Sequence, residues 1–239
     1  MERLQKVLAQ SNVASRRKSE QLILEKRVSV NGVIVSELGF KVSKKDLITV
    51  DGVAIQRADF KYYLLNKPTG YLSTVSDDKN RRTILDLFKP EHKNDRIYPV
   101  GRLDYDTAGL LLVTNDGELT RKLTHPSSNI PKQYLARVEG IVIKEKIRNL
   151  RKGVIIDKDY LAIPKEVQLM SLDKANQSTL IRIVITEGRN KQVRKMMDAI
   201  GHPVKKLTRD QYAFLTLEGV QRGAYRELKV HEIKMLKNL

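Results

Sequence analysis

Residues 100–114 read VGRLDYDTAGLLLVT, an acidic loop that leads directly into an apolar run. The run is typical of a buried strand. A loop entering such a strand is held rigidly, which suits a group that must be positioned for attack, and Asp104 is the best placed carboxylate. Asp106 either completes a carboxylate pair for glycoside hydrolysis or Mg²⁺ binding, or caps the turn together with Thr107. We favour the cap.

Residues 60–239, which surround this strand, alternate short strands and helices. The hydrophobic pattern predicts an α+β domain with a mixed, mainly antiparallel sheet. Helices are predicted at ELTRKLTHP (118–126), IKEKIRNLRKG (143–153) and NKQVRKMMDAIGHP (190–203). Strands are predicted at KYYLLNK (61–67), KQYLARVEG (132–140), PKEVQLMSL (164–172), STLIRIVITEG (178–188), 204–207, 213–217 and 225–230.

Residues 1–58 are predicted to form a small domain of their own. Ser15 is an expected N-cap for a helix with the sequence RRKSEQLILEKR. Asn31-Gly32, between VSV and VIV, is a strong hairpin signal, and LITVDG (47–52) adds a third strand. Arg16, Arg17 and Lys18 fall on the first turn of that helix, where three cations and the helix dipole jointly attract a phosphate. The alternative is a solvated charged face.

The composition restricts the function classes. With 45 Lys and Arg against 28 Asp and Glu, the net charge is +17, which favours nucleic acid as the partner. The absence of cysteine excludes disulfides and thiolate metal sites. No apolar run is long enough for a membrane span, and the first ten residues do not resemble a signal peptide. We expect a cytoplasmic protein, without membrane contact and monomeric.

Two resemblances cover nearly the whole chain. RLQKVLAQSNVASRRKSEQLI, RVSVNGVIV and ITVDG resemble the S4 RNA-binding domain over about residues 2–55. GRLDYDTAGLLLVTNDGEL is similar to the catalytic signature of the RNA pseudouridine synthases, in the RsuA/RluB branch that carries an S4 domain in front. NKPTGY (66–71), KQYLARVEG and EGRNKQVRKMMDAIGHPVKKLTR (187–209) agree with it in order.

The second resemblance implies a role for four residues. Asp104 would attack the target uridine, at C1′ of the ribose or at C6 of the base. Tyr134 would pack on that base, and Arg194 would pair with the aspartate. Arg102 would enter the space that the flipped nucleotide leaves. Such an isomerisation needs no redox agent, acyl donor or metal, so no cofactor and no metal are expected.

Further cations are expected in the RNA groove. They are Lys67, Arg189, Lys191 and Lys195, with a folding role as the alternative for Lys67. Lys191 and Lys195 stand where the family often has arginine, and Ala108 where it often has serine; the lysines keep the charge but lose the bidentate fork.

The expected substrate is ribosomal RNA, either free or in an assembly intermediate. EGRNKQVRKM and GVIIDKDYLAIPKEV look more like the RluB type, which acts on 23S RNA, than the RsuA type, which acts on 16S RNA. Two alternatives come from other classes. One is a catalytically silent RNA-binding or ribosome-assembly protein, and the other is a metal-dependent nuclease that uses Asp104 and Asp106.

Overall fold

A computed structural model describes residues 1–93 and 95–239. Contacts between Cα atoms divide the chain into two compact units, Met1–Lys61 with Pro90–Ile97 and Tyr62–Lys89 with Tyr98–Leu239. The segment Pro90–Ile97, which the sequence analysis assigned to the larger domain (60–239), therefore belongs to the first unit. No helix in the described part of the chain is both long and apolar enough to cross a membrane.

The first unit packs two helices on short strands around a core that includes Leu4, Leu8 and Ile23. Ser15 accepts a hydrogen bond from the Lys18 amide, which confirms the predicted cap. Asn31 and Gly32 both have positive φ, as the predicted hairpin requires. The elements are α1 Leu4–Gln10, α2 Arg16–Leu24, α3 Pro90–Lys93, β1 Glu2–Arg3, β2 Val28–Val30, β3 Val33–Ile34, β4 Lys41–Val42, β5 Ile48–Val50 and β6 Val53–Ala54.

The second unit is α+β, as predicted, and is built on a nine-stranded sheet. Its helices are α4 Gly117–Thr124, α5 Lys144–Lys152, α6 Gln192–Ala199 and α7 Val230–Asn238, with 3₁₀ turns at Ile84–Leu87 and Pro126–Ser128. Its strands are β7 Tyr62–Lys67, β8 Tyr98–Pro99, β9 Thr107–Thr114, β10 Lys132–Glu139, β11 Val154–Ile156, β12 Tyr160–Ala162, β13 Glu166–Asp173, β14 Ser178–Ile185, β15 Val204–Tyr212, β16 Leu215–Thr216 and β17 Tyr225–Glu227.

The strand order of the sheet is β13-β14-β10-β15-β9-β7-β17, with β16 beside β15 and β8 beside β9. The strand β9 is buried along its whole length, as its unbroken apolar sequence indicates. It pairs antiparallel with β7 and parallel with β15. The strand that follows the acidic loop therefore lies in the interior of the sheet.

The parallel pair depends on Gly109. Its φ is +114°, and an added Cβ would lie 2.2 Å from the backbone oxygen of Arg209. Only glycine permits this approach of the two backbones without strain. The pair places the start of β9 beside the middle of β15.

The C-terminal region differs from the sequence prediction in two ways. The segments expected at 204–207 and 213–217 are one long strand, β15, and a short partner, β16. The strand expected over 225–230 ends at Glu227, and Val230 begins α7. Glu232 accounts for this change, because it accepts the Lys229 amide at 2.7 Å and a bidentate pair from Arg226. The apolar spacing Ile233–Leu236 is a helical signal that the strand prediction overlooked.

Candidate active site

The loop that precedes β9 is fixed by side chains and backbone from the β7 turn and the segment after it. The Ser73 hydroxyl donates to the Leu103 oxygen at 2.8 Å and accepts from the Leu103 amide at 3.1 Å. The Gly70 amide donates to the Tyr105 oxygen at 2.8 Å. Bonds on both sides of Asp104 therefore hold its backbone, as a group positioned for attack requires.

Lys67 holds the same loop from within the protein. Its side chain is fully buried, and its ammonium donates to the backbone oxygens of Pro68, Asp104 and Thr107 at 3.0–3.1 Å. Burial lowers the pKa of Lys67 to about 8, against the opposing effect of the Asp104 and Asp106 carboxylates. The structure thus contradicts the predicted RNA contact of Lys67, because its donors already serve the protein. The contacts of Lys67 agree with the alternative given in the sequence analysis, a role in folding.

Asp104 lines a cavity of about 570 Å³ on this side of the sheet. Tyr134, which is 8% exposed on β10, lines the same cavity. So do the exposed Arg102 beside the loop and the exposed Arg189 and Lys191 before α6. Five of the residues singled out in the sequence are thus brought to one cavity, although they come from three separate stretches of the chain.

The structure corrects the expected pairing of Arg194 with Asp104. Its guanidinium forms an ion pair with the Asp106 carboxylate at 2.9 Å, and the same nitrogen donates to the Asp106 backbone oxygen at 3.1 Å. In the described part of the chain no ion pair joins Arg194 to Asp104. The structure also corrects the preferred turn-capping interpretation of Asp106. Its carboxylate serves Arg194, and the turn is closed instead by the Thr107 amide on the Asp104 oxygen.

The segment before α6 is supported by the β11–β12 hairpin. The Arg189 guanidinium lies 3.3 Å from the ring centroid of Tyr160, whose hydroxyl bonds Glu187. Lys195 forms an ion pair with Asp157 and does not line the cavity. Of the predicted groove cations on this segment, Arg189 and Lys191 therefore reach the cavity, and Lys195 lies beside the hairpin.

Of the lysines and arginines that line the cavity, two were missed in the sequence, Lys132 and Arg209. Arg209 lies directly across from Tyr134 on the neighbouring strand and is 3% exposed. Burial, together with the Arg209 charge, lowers the pKa of Lys132 to about 8 against the opposing effect of Glu187. The available signal was alternation, because Lys132 precedes Tyr134 by two residues in KQYLARVEG and falls on the same face.

The first unit carries Arg16, Arg17 and Lys18 exposed on the first turn of α2, as predicted from the sequence. Their contact with RNA stays a prediction. Within residues 1–93 and 95–239, the His, Asp and Glu side chains form no group of three that could hold a metal ion.

The comparisons with known proteins match both units. A family model described as RNA pseudouridylate synthase matches residues 61–199, and an S4 domain model matches residues 2–48. A relative from Bacillus subtilis, named "Ribosomal large subunit pseudouridine synthase B", is 52% identical over 239 residues, covering 100% of this chain and 97% of its own.

Two further relatives agree. An "Uncharacterized RNA pseudouridine synthase" from Aquifex aeolicus is 41% identical over 98% of this chain and 93% of its own. Among solved structures, one described as "Crystal structure of pseudouridylate synthase" is 28% identical, has a TM-score of 0.68 and covers 99% of this chain and 100% of its own. The likeness therefore extends over both units.

Proposed function

Because this chain belongs to the RNA pseudouridylate synthase family, we propose that it isomerises one or more uridines to pseudouridine in the RNA of the large ribosomal subunit. The enzyme class follows from the family match over residues 61–199. The choice of substrate is supported by the 52% identical relative, whose name assigns it to the large subunit, and by the net charge of +17.

We assign the nucleophile to Asp104. The observation that carries this assignment is the anchored loop: the backbone on both sides of Asp104 is hydrogen-bonded, while the residue itself lines the 570 Å³ cavity. A carboxylate on a backbone held in this way needs less ordering when the substrate binds. Breaking a C–N glycosidic bond and forming a C–C bond on the same base exchanges no electrons with a cofactor, so the reaction needs none.

Three further residues are assigned by position. Tyr134 forms the wall of the cavity on which the target base would pack. Arg102 is exposed beside Asp104, where a planar guanidinium can occupy the gap that a flipped uridine leaves. Arg194 is a positioning residue, since it contacts Asp106 and so supports the far end of the loop.

The first unit is proposed as the RNA-anchoring module, with Arg16, Arg17 and Lys18 as phosphate contacts. The proposed functional boundaries are 1–58 for this S4-like domain and 60–239 for the catalytic domain. Asp104, Tyr134 and Arg102 line one cavity within the chain, so the proposed site needs no residue from a second copy, and we propose a monomer. We place it in the cytoplasm, on the grounds of its ribosomal RNA substrate.

The deciding experiment maps pseudouridines in ribosomal RNA from a strain that lacks this protein. We expect at least one large-subunit position to lose its pseudouridine, wild-type protein to restore it, and Asp104→Asn to leave it unmodified, because the amide keeps the shape without the nucleophile. A loss confined to small-subunit RNA would instead favour the 16S alternative. Restoration by Asp104→Asn would contradict the assignment of the nucleophile.

A further inference from the structure

Two cations, the half-buried Lys132 and the buried Arg209, line the same cavity, and neither forms an ion pair among the described residues. The Lys132 ammonium donates to the Ile130 and Thr186 oxygens at 3.1 and 2.9 Å, which leaves its third hydrogen uncommitted. Arg209 donates through Nε to the Leu110 oxygen at 2.8 Å. Its Nη2 is buried and has no hydrogen-bond partner. Across the part of the chain that the structure describes, no carboxylate is within ion-pair distance of either cation; Glu187, which lines the same cavity, raises the pKa of Lys132 from a greater distance.

The two cations share their surroundings. Tyr212 presents its ring to both, with Lys132 Nζ 6.0 Å and Arg209 Cζ 5.1 Å from the ring centroid. Both residues line the cavity together with Asp104 and Tyr134. An unpaired buried charge costs several kcal/mol of folding free energy. Arg209 is such a charge, and the half-buried Lys132 adds a second positive charge beside it, so the cavity favours a ligand that supplies negative charge in addition to that of Glu187.

We propose that Lys132 binds an anionic oxygen of the substrate nucleotide, with Arg209 behind it as a second positive charge. The inference rests on the proposed function. Lys132 is the contact group, because its side chain is partly accessible. Arg209 is a positioning residue, because its free nitrogen is buried and acts through its charge.

The chemistry of the reaction supplies such an oxygen by either route. Attack of the Asp104 carboxylate at C1′ forms a C1′–O bond and breaks the N1–C1′ bond. The electron pair leaves with the pyrimidine and spreads over N1, O2 and O4. Attack at C6 forms a C6–O bond and moves the C5=C6 electron pair toward O4 as an enolate. In both cases a carbonyl oxygen of the base becomes negative, where a fixed cation stabilises the transition state.

The same oxyanion chemistry has a second source, the phosphate of the target nucleotide, and kinetics separates the two. A phosphate is charged before the reaction, so its cation contributes to RNA affinity. The base becomes charged only during the reaction, so its cation contributes to the rate. We expect the base to be the source, because Lys132 lies on the same face of β10 as Tyr134, on which the base would pack.

The test compares Lys132→Met, Lys132→Arg, Arg209→Lys and, as a matched control, Lys144→Met, which removes an exposed lysine on α5. Single-turnover rate and Kd are measured on the RNA segment that the mapping experiment identifies. We expect Lys132→Met to lose about 10²- to 10³-fold in rate with little change in Kd. Lys132→Arg should recover much of the rate, because the charge returns. A loss in Kd alone would assign the anion to the phosphate.

A second measurement does not depend on turnover. Wild-type protein and Lys132→Met are titrated with uracil and with 5-nitrouracil, an acidic pyrimidine that carries a delocalised negative charge at neutral pH. We expect the wild type to prefer the anionic base and Lys132→Met to lose that preference. Equal binding of both bases by the wild type, together with Lys132→Met kinetics that match the control, would overturn the proposal. A wild type that leaves ribosomal RNA unmodified but prefers the anionic base would contradict only the proposed function.

Discussion

The ammonium nitrogen of Lys67 lies 3.1 Å from the backbone oxygen of Asp104, so the loop that carries the proposed nucleophile is tied to a buried cation. The same ammonium reaches the Thr107 oxygen, where β9 begins. The loop and the start of the strand are therefore held by one side chain. Loss of the Lys67 side chain is therefore expected to lower stability, whereas loss of an RNA-binding lysine would lower RNA affinity.

Lys67→Met is expected to damage folding rather than RNA affinity. Three backbone oxygens lose their donor, and we expect the free energy of unfolding to fall by about 3 kcal/mol. Denaturant unfolding and RNA binding are measured on the same preparations, with the exposed Lys79→Met as control. Weaker RNA binding with unchanged stability would restore the RNA contact that the sequence suggested.

The Arg194–Asp106 ion pair is expected to act on the rate through the position of the loop. Arg194→Met and Asp106→Asn should each lower the single-turnover rate with little change in Kd. The double variant should lose less than the two losses combined, with a coupling of about 0.5–3 kcal/mol. Asp157→Asn breaks the neighbouring ion pair on α6 and is the control. Fully additive losses would contradict a positioning role for the pair.

Arg102→Ala is expected to affect structured RNA more than unstacked RNA. If the side chain fills the gap left by the flipped uridine, it offsets the unstacking cost of a few kcal/mol. An oligonucleotide whose target base is already unstacked should therefore lose less activity. The measurement is the single-turnover rate on both substrates, with the exposed Arg121→Ala as control. Equal losses on the two RNAs would refute the role as a wedge.

The lowered pKa of Lys132 predicts that the stability of the protein depends on pH. Burial, with Arg209 adding to it and Glu187 opposing it, lowers the pKa from 10.5 to about 8 in the folded state. Between these values the unfolded chain holds the proton and the folded chain does not, so stability rises with pH. The stability of the wild type relative to Lys132→Met should therefore increase from about pH 8 to pH 10. Denaturant unfolding at intervals of pH measures this difference, and a flat difference would contradict the half-buried placement of the ammonium.

The cations at the start of α2 predict a change in salt dependence. Replacing Arg16, Arg17 and Lys18 with alanine should make the slope of log K against log salt shallower by about 2 to 3, since each phosphate contact contributes about 0.7–0.9. A matched triple variant, Lys144, Arg148 and Lys152 to alanine, removes three exposed cations from α5. Identical slopes for the two variants would indicate that the α2 cluster is a solvated face.

The local elements of this fold could be read from the sequence because their signals are local. Ser15 indicates the start of a helix, and the backbone preference of Asn31-Gly32 alone indicates a hairpin. The parallel pairing of β9 with β15 could not be predicted in this way, since it depends on a close approach between distant segments. Glu232 turned an expected strand end into a helix through a bond to the Lys229 amide.

The sequence motifs predicted which residues lie together, and the catalytic and RNA-binding roles of these residues stay predictions. Asp104, Tyr134 and Arg102 lie at one cavity, as their motifs suggested. The role of Lys67 could not be assigned from the sequence, because the residue type does not show whether a lysine is buried or exposed. Arg209 was missed because the sequence does not show that its Nη2 is buried without a hydrogen-bond partner. Only the packed structure reveals this.

The hydrogen bond from Arg209 to the Leu110 oxygen joins positions 99 residues apart. A ribosome that makes this protein releases the Asp104 loop long before β15 emerges. Until then β9 lacks the neighbour on its parallel side, and the cavity lacks Arg209 and Tyr212. The nascent chain is therefore expected to remain without activity toward the ribosome that is making it until nearly all of the sequence has been synthesised.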